Sequence, residues 1–205
     1  MVDKVSQSLF KDIQARAFRS GVAPNTQEAS KWFFEKIGNM RAGRINRNQL
    51  LKDSALHRRG QTLIGRMYFF AYDAKHKDTL PYWDAFPLVI MVGPAEGGFY
   101  GLNLHYLPPL HRMQLFEELM KITNNKSYDE TTKFRMSYQL LQGSRKYRAF
   151  APCFKHYLSK QMLSKPSLVD APEWEIATLL PVHRFKGAKA TKVWNDSKRA
   201  IRNNR

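Results

Sequence analysis

Phe86-Pro87-Leu88-Val89-Ile90-Met91-Val92, then Gly93-Pro94-Ala95-Glu96-Gly97-Gly98, then Phe99-Tyr100-Gly101-Leu102-Asn103-Leu104 is the stretch that decides the architecture. The first run is apolar at every position, so it has no face to give to water. Such a run predicts a strand covered on both sides. The Gly-rich hexapeptide is a turn, since glycine reaches the positive φ of a tight hairpin without strain. Phe99–Leu107 then returns as a strand, with Phe99, Gly101 and Asn103 on one face and Tyr100, Leu102 and Leu104 on the other. Upstream, Leu63–Tyr72 sets Met67, Phe69 and Ala71 against Arg66, Tyr68 and Phe70, which predicts a further strand. A polar loop, Asp73–Asp84, joins it to the central run and carries Lys75, His76, Lys77 and Pro81. Three close antiparallel strands of this kind predict a small SH3-like barrel. A plain antiparallel sheet packed on helices is the alternative.

Working outward, Pro108-Pro109 ends the third strand and starts a helix, because proline is tolerated at a first helical position. Leu110, Met113, Phe116, Leu119 and Met120 form its expected inner face. Ser127-Tyr128-Asp129-Glu130 is a capping box for a helix carrying Phe134, Tyr138 and Leu141 and ended by Gly143. Pro152 is read as opening a shorter helix with Phe154, Tyr157 and Leu158. Leu168–Val169 and Trp174–Leu180 are read as two last strands that close the barrel. Towards the N-terminus, Val5, Leu9, Ile13 and Ala17 recur at helical spacing up to Gly21 and Pro24. Asn25-Thr26-Gln27-Glu28 opens a second helix with Ala29, Trp32, Phe33 and Ile37 on one face. The expected class is α+β: a barrel-plus-helix core over 61–186, a helical basic wing over 1–60, and a basic tail over 187–205.

The charge is large and uneven. The 205 residues include 34 Lys+Arg and 17 Asp+Glu, a net of +17. Residues 1–60 hold 12 basic and 5 acidic side chains, residues 61–124 hold 5 and 6, and residues 125–205 hold 17 and 6. Two basic wings thus flank a neutral, aromatic-rich middle, a distribution that suits contact with a polyanion, nucleic acid above all. Acidic protein neighbours are the other partner class that fits. Arg41, Arg44, Arg47, Arg58 and Arg59, near Gly43 and Asn46, are candidate phosphate contacts, since guanidinium forks match phosphate oxygens. Arg145, Lys146 and Arg148 extend the cationic set. Lys189, Lys192, Lys198, Arg199 and Arg202 complete it in the tail, where Val193, Trp194 and Ile201 are the sparse apolar residues. Three such residues are too few to bury a helix face alone, so the free tail is expected to be mobile, with Trp194 as its anchor on a partner surface.

Catalytic and metal signatures are weak. The six histidines show no HxH, HxxxH or HExxH spacing, which points to structural roles for His105, His111 and the others. Asp78, Asp84 and Glu96 invite a metal-dependent nuclease reading, but no Glu-x-Lys follows on a strand to orient metal and water. Gly93–Gly98 lacks the Gly-Lys-Ser/Thr ending of a phosphate loop. Cys153 is the one cysteine, so neither an intrachain disulfide nor a cysteine metal cluster is possible. The apolar runs are too short to span a bilayer, and Met1-Val2-Asp3-Lys4-Val5 has no secretion-signal character. No cofactor and no small-molecule substrate are implied. Among the aromatics, Phe69 and Phe70 read as core, while Tyr82 and Trp83, beside Pro81, stay open as base-stacking platforms.

Thr79-Leu80-Pro81-Tyr82-Trp83-Asp84-Ala85-Phe86-Pro87-Leu88-Val89 and Gly97-Gly98-Phe99-Tyr100-Gly101-Leu102-Asn103-Leu104-His105-Tyr106-Leu107-Pro108-Pro109 carry a resemblance, as do Asn125–Asp129 and Trp174–Pro181. From about residue 60 to about residue 195 the chain resembles virion proteins of T4-like contractile-tailed phages. The resemblance implies a non-enzymatic structural protein of the virion, made in the bacterial host cytoplasm. It would contact double-stranded DNA without sequence preference and protect the ends of the packaged genome, with other virion proteins as neighbours. A tail, neck or baseplate assembly subunit, its basic wings on acidic neighbours, is the alternative that the same resemblance allows.

Overall fold

The computed structural model describes residues 9–22, 28, 32, 64–115, 148–169, 174–179 and 185–203. Their centre is an open antiparallel sheet of five strands in the order β5-β4-β3-β1-β6. These are β1 (Met67–Phe69), β3 (Leu88–Ala95), β4 (Gly98–Asn103), β5 (Phe154–Leu158) and β6 (Ser167–Val169). A separate two-stranded ribbon pairs β2 (Trp83–Asp84) with β7 (Phe185–Lys186). Three helices are α1 (Leu9–Arg19), α2 (Trp174–Leu179) and α3 (Ala190–Asn203). A further helical stretch covers 109–115, and short 3₁₀ turns run over Leu104–Tyr106 and Arg148–Cys153.

The register explains the apolar central run. Val169, Met67, Ile90, Leu102 and Phe154 stand opposite one another in turn, one row across all five strands. That row faces a core shared with Ile13 and Ala17 of α1, Trp174 and Ile176 of α2, and Val193 and Ile201 of α3. Tyr68, Val89, Met91, Tyr157 and Leu168 belong to a second cluster on the opposite face, closed by Phe70, Tyr72 and Ala74. In it the Phe70 ring stands edge-on to Tyr157 with centroids 5.3 Å apart, and Tyr72 meets Tyr157 at 5.0 Å. The Leu88–Val92 stretch of β3 therefore has no wet face and is buried throughout, and the strand meets water at Pro94. Each such side chain, fully buried, contributes about 1.5–3 kcal/mol. A bulge between Met91 and Gly93 shifts the register, and Pro94 falls where β3 has run past the end of β1.

The central hairpin and the helix that starts at Pro109 match their sequence expectation, as do Ile13 and Ala17 on the buried face of α1. The loop expected over Asp73–Asp84 ends in strand β2, and the strand expected to reach Leu107 stops at Asn103, where a 3₁₀ turn begins. Four further expectations are corrected. The sheet does not close into an SH3-like barrel, because Trp174–Leu179 is a helix and not the closing strand. Its Thr178 hydroxyl donates to the Trp174 carbonyl at 2.7 Å, a bond from residue i to i−4 that only a helical turn allows. The Phe154–Leu158 segment, expected as a helix after Pro152, is edge strand β5, paired with β4 from Gly98↔Leu158 to Leu102↔Phe154. Phe154, Tyr157 and Leu158 share one face at helical spacing, but in the strand Phe154 and Tyr157 fall on opposite faces of the sheet, and the aromatic partners Phe99 and Tyr100 on β4 select that arrangement. In the 109–115 helix Leu110 is exposed, and Arg112 takes the buried place beside Leu115. Finally, the tail is a helix from Ala190 to Asn203 with Val193, Ser197 and Ile201 buried. The core supplies the apolar surface that three residues could not provide for themselves. The helix expected over 127–143 and the Phe33 and Ile37 face lie outside the described residues.

Gly98 is where the sheet is most sensitive to size. A Cβ there would run into the Tyr157 carbonyl oxygen, a backbone atom of the paired strand. Gly98→Ala is expected to force β4 and β5 apart and to lower stability by about 2 kcal/mol. A urea melt with an unchanged midpoint would contradict this registration of β5.

Candidate nucleic-acid interface

A sealed polar network holds the cationic surface in place. Asp84, on β2, is buried, and each of its oxygens is occupied. Oδ1 accepts from the Phe86 amide at 2.9 Å. Oδ2 meets His105 Nδ1 at 2.7 Å and accepts from Asn103 Nδ2 at 3.0 Å. Asn103 Nδ2 also lies 2.9 Å from the Tyr157 hydroxyl, while its Oδ1 accepts from the His105 amide at 3.0 Å and so caps the 104–106 turn. Burial pushes the Asp84 carboxyl up, but the His105 charge and hydrogen bond, with help from Asn103 and Phe86, outweigh it and hold the group below its ordinary range. With its oxygens engaged in this way, Asp84 ties β2 to the turn after β4. Among the described residues no group of three or more His, Cys, Asp or Glu side chains is placed to hold a metal ion.

The network continues from His105 to α3 through the backbone. The His105 carbonyl accepts from Trp194 Nε1 at 2.8 Å and from Arg112 Nη2 at 3.4 Å. Arg112, itself buried, also donates from Nε to the Leu107 carbonyl at 2.7 Å and from Nη1 to the Thr178 carbonyl at 3.2 Å. Its guanidinium lies 5.5 Å from the centre of the Trp194 ring. Burial lowers the Arg112 pKa to about 10, so it stays a cation, met by three carbonyls and an aromatic face. Trp194, expected as an anchor on a partner, is anchored within its own chain.

That anchoring decides which side of α3 meets water. Val193, Ser197 and Ile201 face the core, whereas Lys192, Lys198, Arg199 and Arg202 are exposed, with Lys189 exposed in the turn before the helix. Among the described residues, Lys192 alone of these is drawn to a carboxylate, 3.2 Å from Asp196 one turn on. Such an i,i+4 pair at a wet surface is weak. The 3₁₀ turn that Arg148 begins packs against α3. Arg41, Arg44, Arg47, Arg58, Arg59, Arg145 and Lys146 lie outside the described residues.

A feature absent from the sequence reading lies beside this helix. A cleft of about 720 Å³ opens between the loop after β1 and strand β5. Tyr82, Trp83, Tyr106 and Tyr157 supply aromatic walls, and Lys155 projects into it from β5. The Lys155 ammonium sits 4.0 Å above the centre of the Tyr106 ring, and burial pulls its pKa below the usual lysine range. Burial first, and then the nearby Asp196 carboxylate of α3, push the Tyr82 phenol above its ordinary range, so the wall of the cleft lies close to the cationic helix. The sequence signal for Lys155 is a cation between aromatic residues, and it becomes visible only once Phe154–Leu158 is a strand.

Compared with known proteins, the chain matches a family model described as phage T4 terminal DNA protecting protein over residues 3–197. No curated protein and no solved structure matches it significantly.

Asp84→Asn is expected to cost about 3 kcal/mol by leaving His105 without its buried counter-charge. The pH dependence carries a defined sign. A carboxyl held below its ordinary value of 3.8 adds stability above that pH, and the contribution is lost as pH falls through the folded-state value. The acid limb of a denaturation profile should accordingly be shallower in the variant. An equally steep limb in both proteins would show that Asp84 is not the group responsible.

Proposed function

The chain belongs to the family of phage T4 terminal DNA protecting proteins, and from that membership we propose that it covers the ends of linear duplex DNA as a structural, non-enzymatic component of the virion. The observation that carries the reading at residue level is α3: a cationic face held rigid by a buried network, on a chain of net charge +17. Lys192, Lys198, Arg199 and Arg202, with Lys189 beside them, contact phosphates. They carry no sequence information, which suits a protein that must accept whatever end the genome presents. The arginines and lysines of the 40–60 segment and of 145–148 add to the same contact. Protection follows from occupancy, since an end buried under protein is closed to an exonuclease. The protein is made in the bacterial host cytoplasm and carried in the particle, where other virion proteins are its neighbours.

Replacing Lys192, Arg199 and Arg202 together by Glu tests this face without touching the core. Linear duplex DNA is expected to bind the wild-type protein with an affinity that falls steeply as salt rises. The log–log slope should become shallower by about 0.9 for each phosphate contact the variant loses. An unaltered slope and affinity would remove α3 from the DNA interface. DNA binding that is absent in the wild-type protein at low salt would instead favour acidic virion proteins as the partners of the basic face.

A further inference from the structure

We propose that the cleft between the loop after β1 and strand β5 receives the terminal nucleotide of a DNA strand, its base against the aromatic walls and its phosphate on Lys155. The inference rests on the DNA-binding reading above and adds to it a site that distinguishes an end from the interior.

Three observations converge. The first is size: about 720 Å³ falls within the range of sites that enclose a small ligand, and a single nucleotide is of that class. The second is chemistry. Tyr82, Trp83 and Tyr106 present rings on one small volume, and flat rings are what an unpaired base stacks on. Lys155 brings a cation to the same volume, with no carboxylate within ion-pair distance among the described residues, so an anion is what its surroundings lack. Lys75 and His76 at the rim add donors. Of the acidic residues that line the cleft, Asp84 is spent on His105, Asn103 and Phe86, and Glu96 stands exposed at the edge, where its backbone carbonyl faces His156 Nε2 at 2.9 Å. The third is position. β2 carries Trp83 and pairs with β7, whose Lys186 stands opposite Trp83 immediately before α3, and the Asp196 carboxylate of that helix lies close enough to act on the Tyr82 phenol. A duplex held on the cationic face of α3 therefore lies alongside the cleft.

The physical selectivity comes from the DNA. A base inside a duplex is stacked on two sides and paired, and extruding it is expensive. A terminal nucleotide has one stacking neighbour and frays, so it enters a pocket at far lower cost. A cleft that accepts one unstacked nucleotide thus recognises ends of any sequence.

The test compares a short 5′-phosphorylated blunt duplex with a dumbbell of the same sequence whose two ends are closed by loops, using the full chain. The open duplex is expected to bind about tenfold more tightly, the scale of one stacked base. Lys155→Gln and, on the exposed loop, Lys75→Glu should reduce that preference and leave dumbbell binding as it was. In the wild-type protein, 5-iododeoxyuridine at the terminal position should photo-cross-link to the peptide containing Tyr82 and Trp83 or to that containing Lys155. Equal affinity for the two DNAs, an undiminished preference in both variants, or cross-links confined to other segments would overturn the cleft and leave the α3 contact standing. Wild-type protein that binds neither DNA at low salt would overturn the DNA reading and the cleft with it.

Discussion

A carboxylate removed from water has to be given partners, and in this protein the partners of Asp84 set the positions of everything around it. The demand is met by Asn103, His105 and the Phe86 amide, drawn from the end of β4, the turn after it, and the bend that leads into the central strand. Asn103 passes the constraint to Tyr157 on β5, and the His105 carbonyl passes it to Arg112 and Trp194. The Asp84–His105 pair and Arg112 are thereby buried in one polar network beside the apolar core. Burying charge seldom adds net stability over an apolar filling, but it narrows the arrangements that are tolerated. Here the narrowing fixes the β2–β7 ribbon and the helix that follows it.

Local patterns were legible in the sequence. The unbroken apolar run of β3, the glycine turn after it, the Ile13 and Ala17 stripe of α1 and the proline start at 109 each depend on neighbours a few residues away. Two short segments were not legible, for one shared reason. Phe154–Leu158 and Trp174–Leu179 are too brief for their apolar positions to separate a period of two from a period of 3.6, so tertiary partners decided them. Arg112 and Leu110 exchanged expected places because three carbonyls from distant turns make a burial site for a guanidinium, and nothing beside position 112 announces them. The cationic residues of α3 could be named from composition alone. The cleft could not, since its walls come from the 72–84 loop, the turn after β4 and β5, which meet only in the fold.

The two faces of the sheet divide the work. The helix-covered face carries the aliphatic core and, through Val193 and Ile201, seats α3. The aromatic face is closed by its own loop and ends at the cleft, where Tyr157 belongs at once to the core cluster and to the lining. Cys153 shows how thoroughly the interior is shut: it is fully buried, its thiol lies 2.9 Å from the Phe150 carbonyl, and burial raises its pKa to about 12. A thiol so placed is chemically quiet.

The tie between Trp194 and the His105 carbonyl has a consequence for kinetics. A basic segment that orders only on contact surrenders conformational entropy at the moment of association, and its docking waits for the right conformer. With the indole already seated, the backbone of α3 lost that freedom when the chain folded. On the reading proposed above, DNA that approaches α3 meets a preformed row of cations, and its encounter is governed by diffusion and long-range steering and not by a coupled folding step.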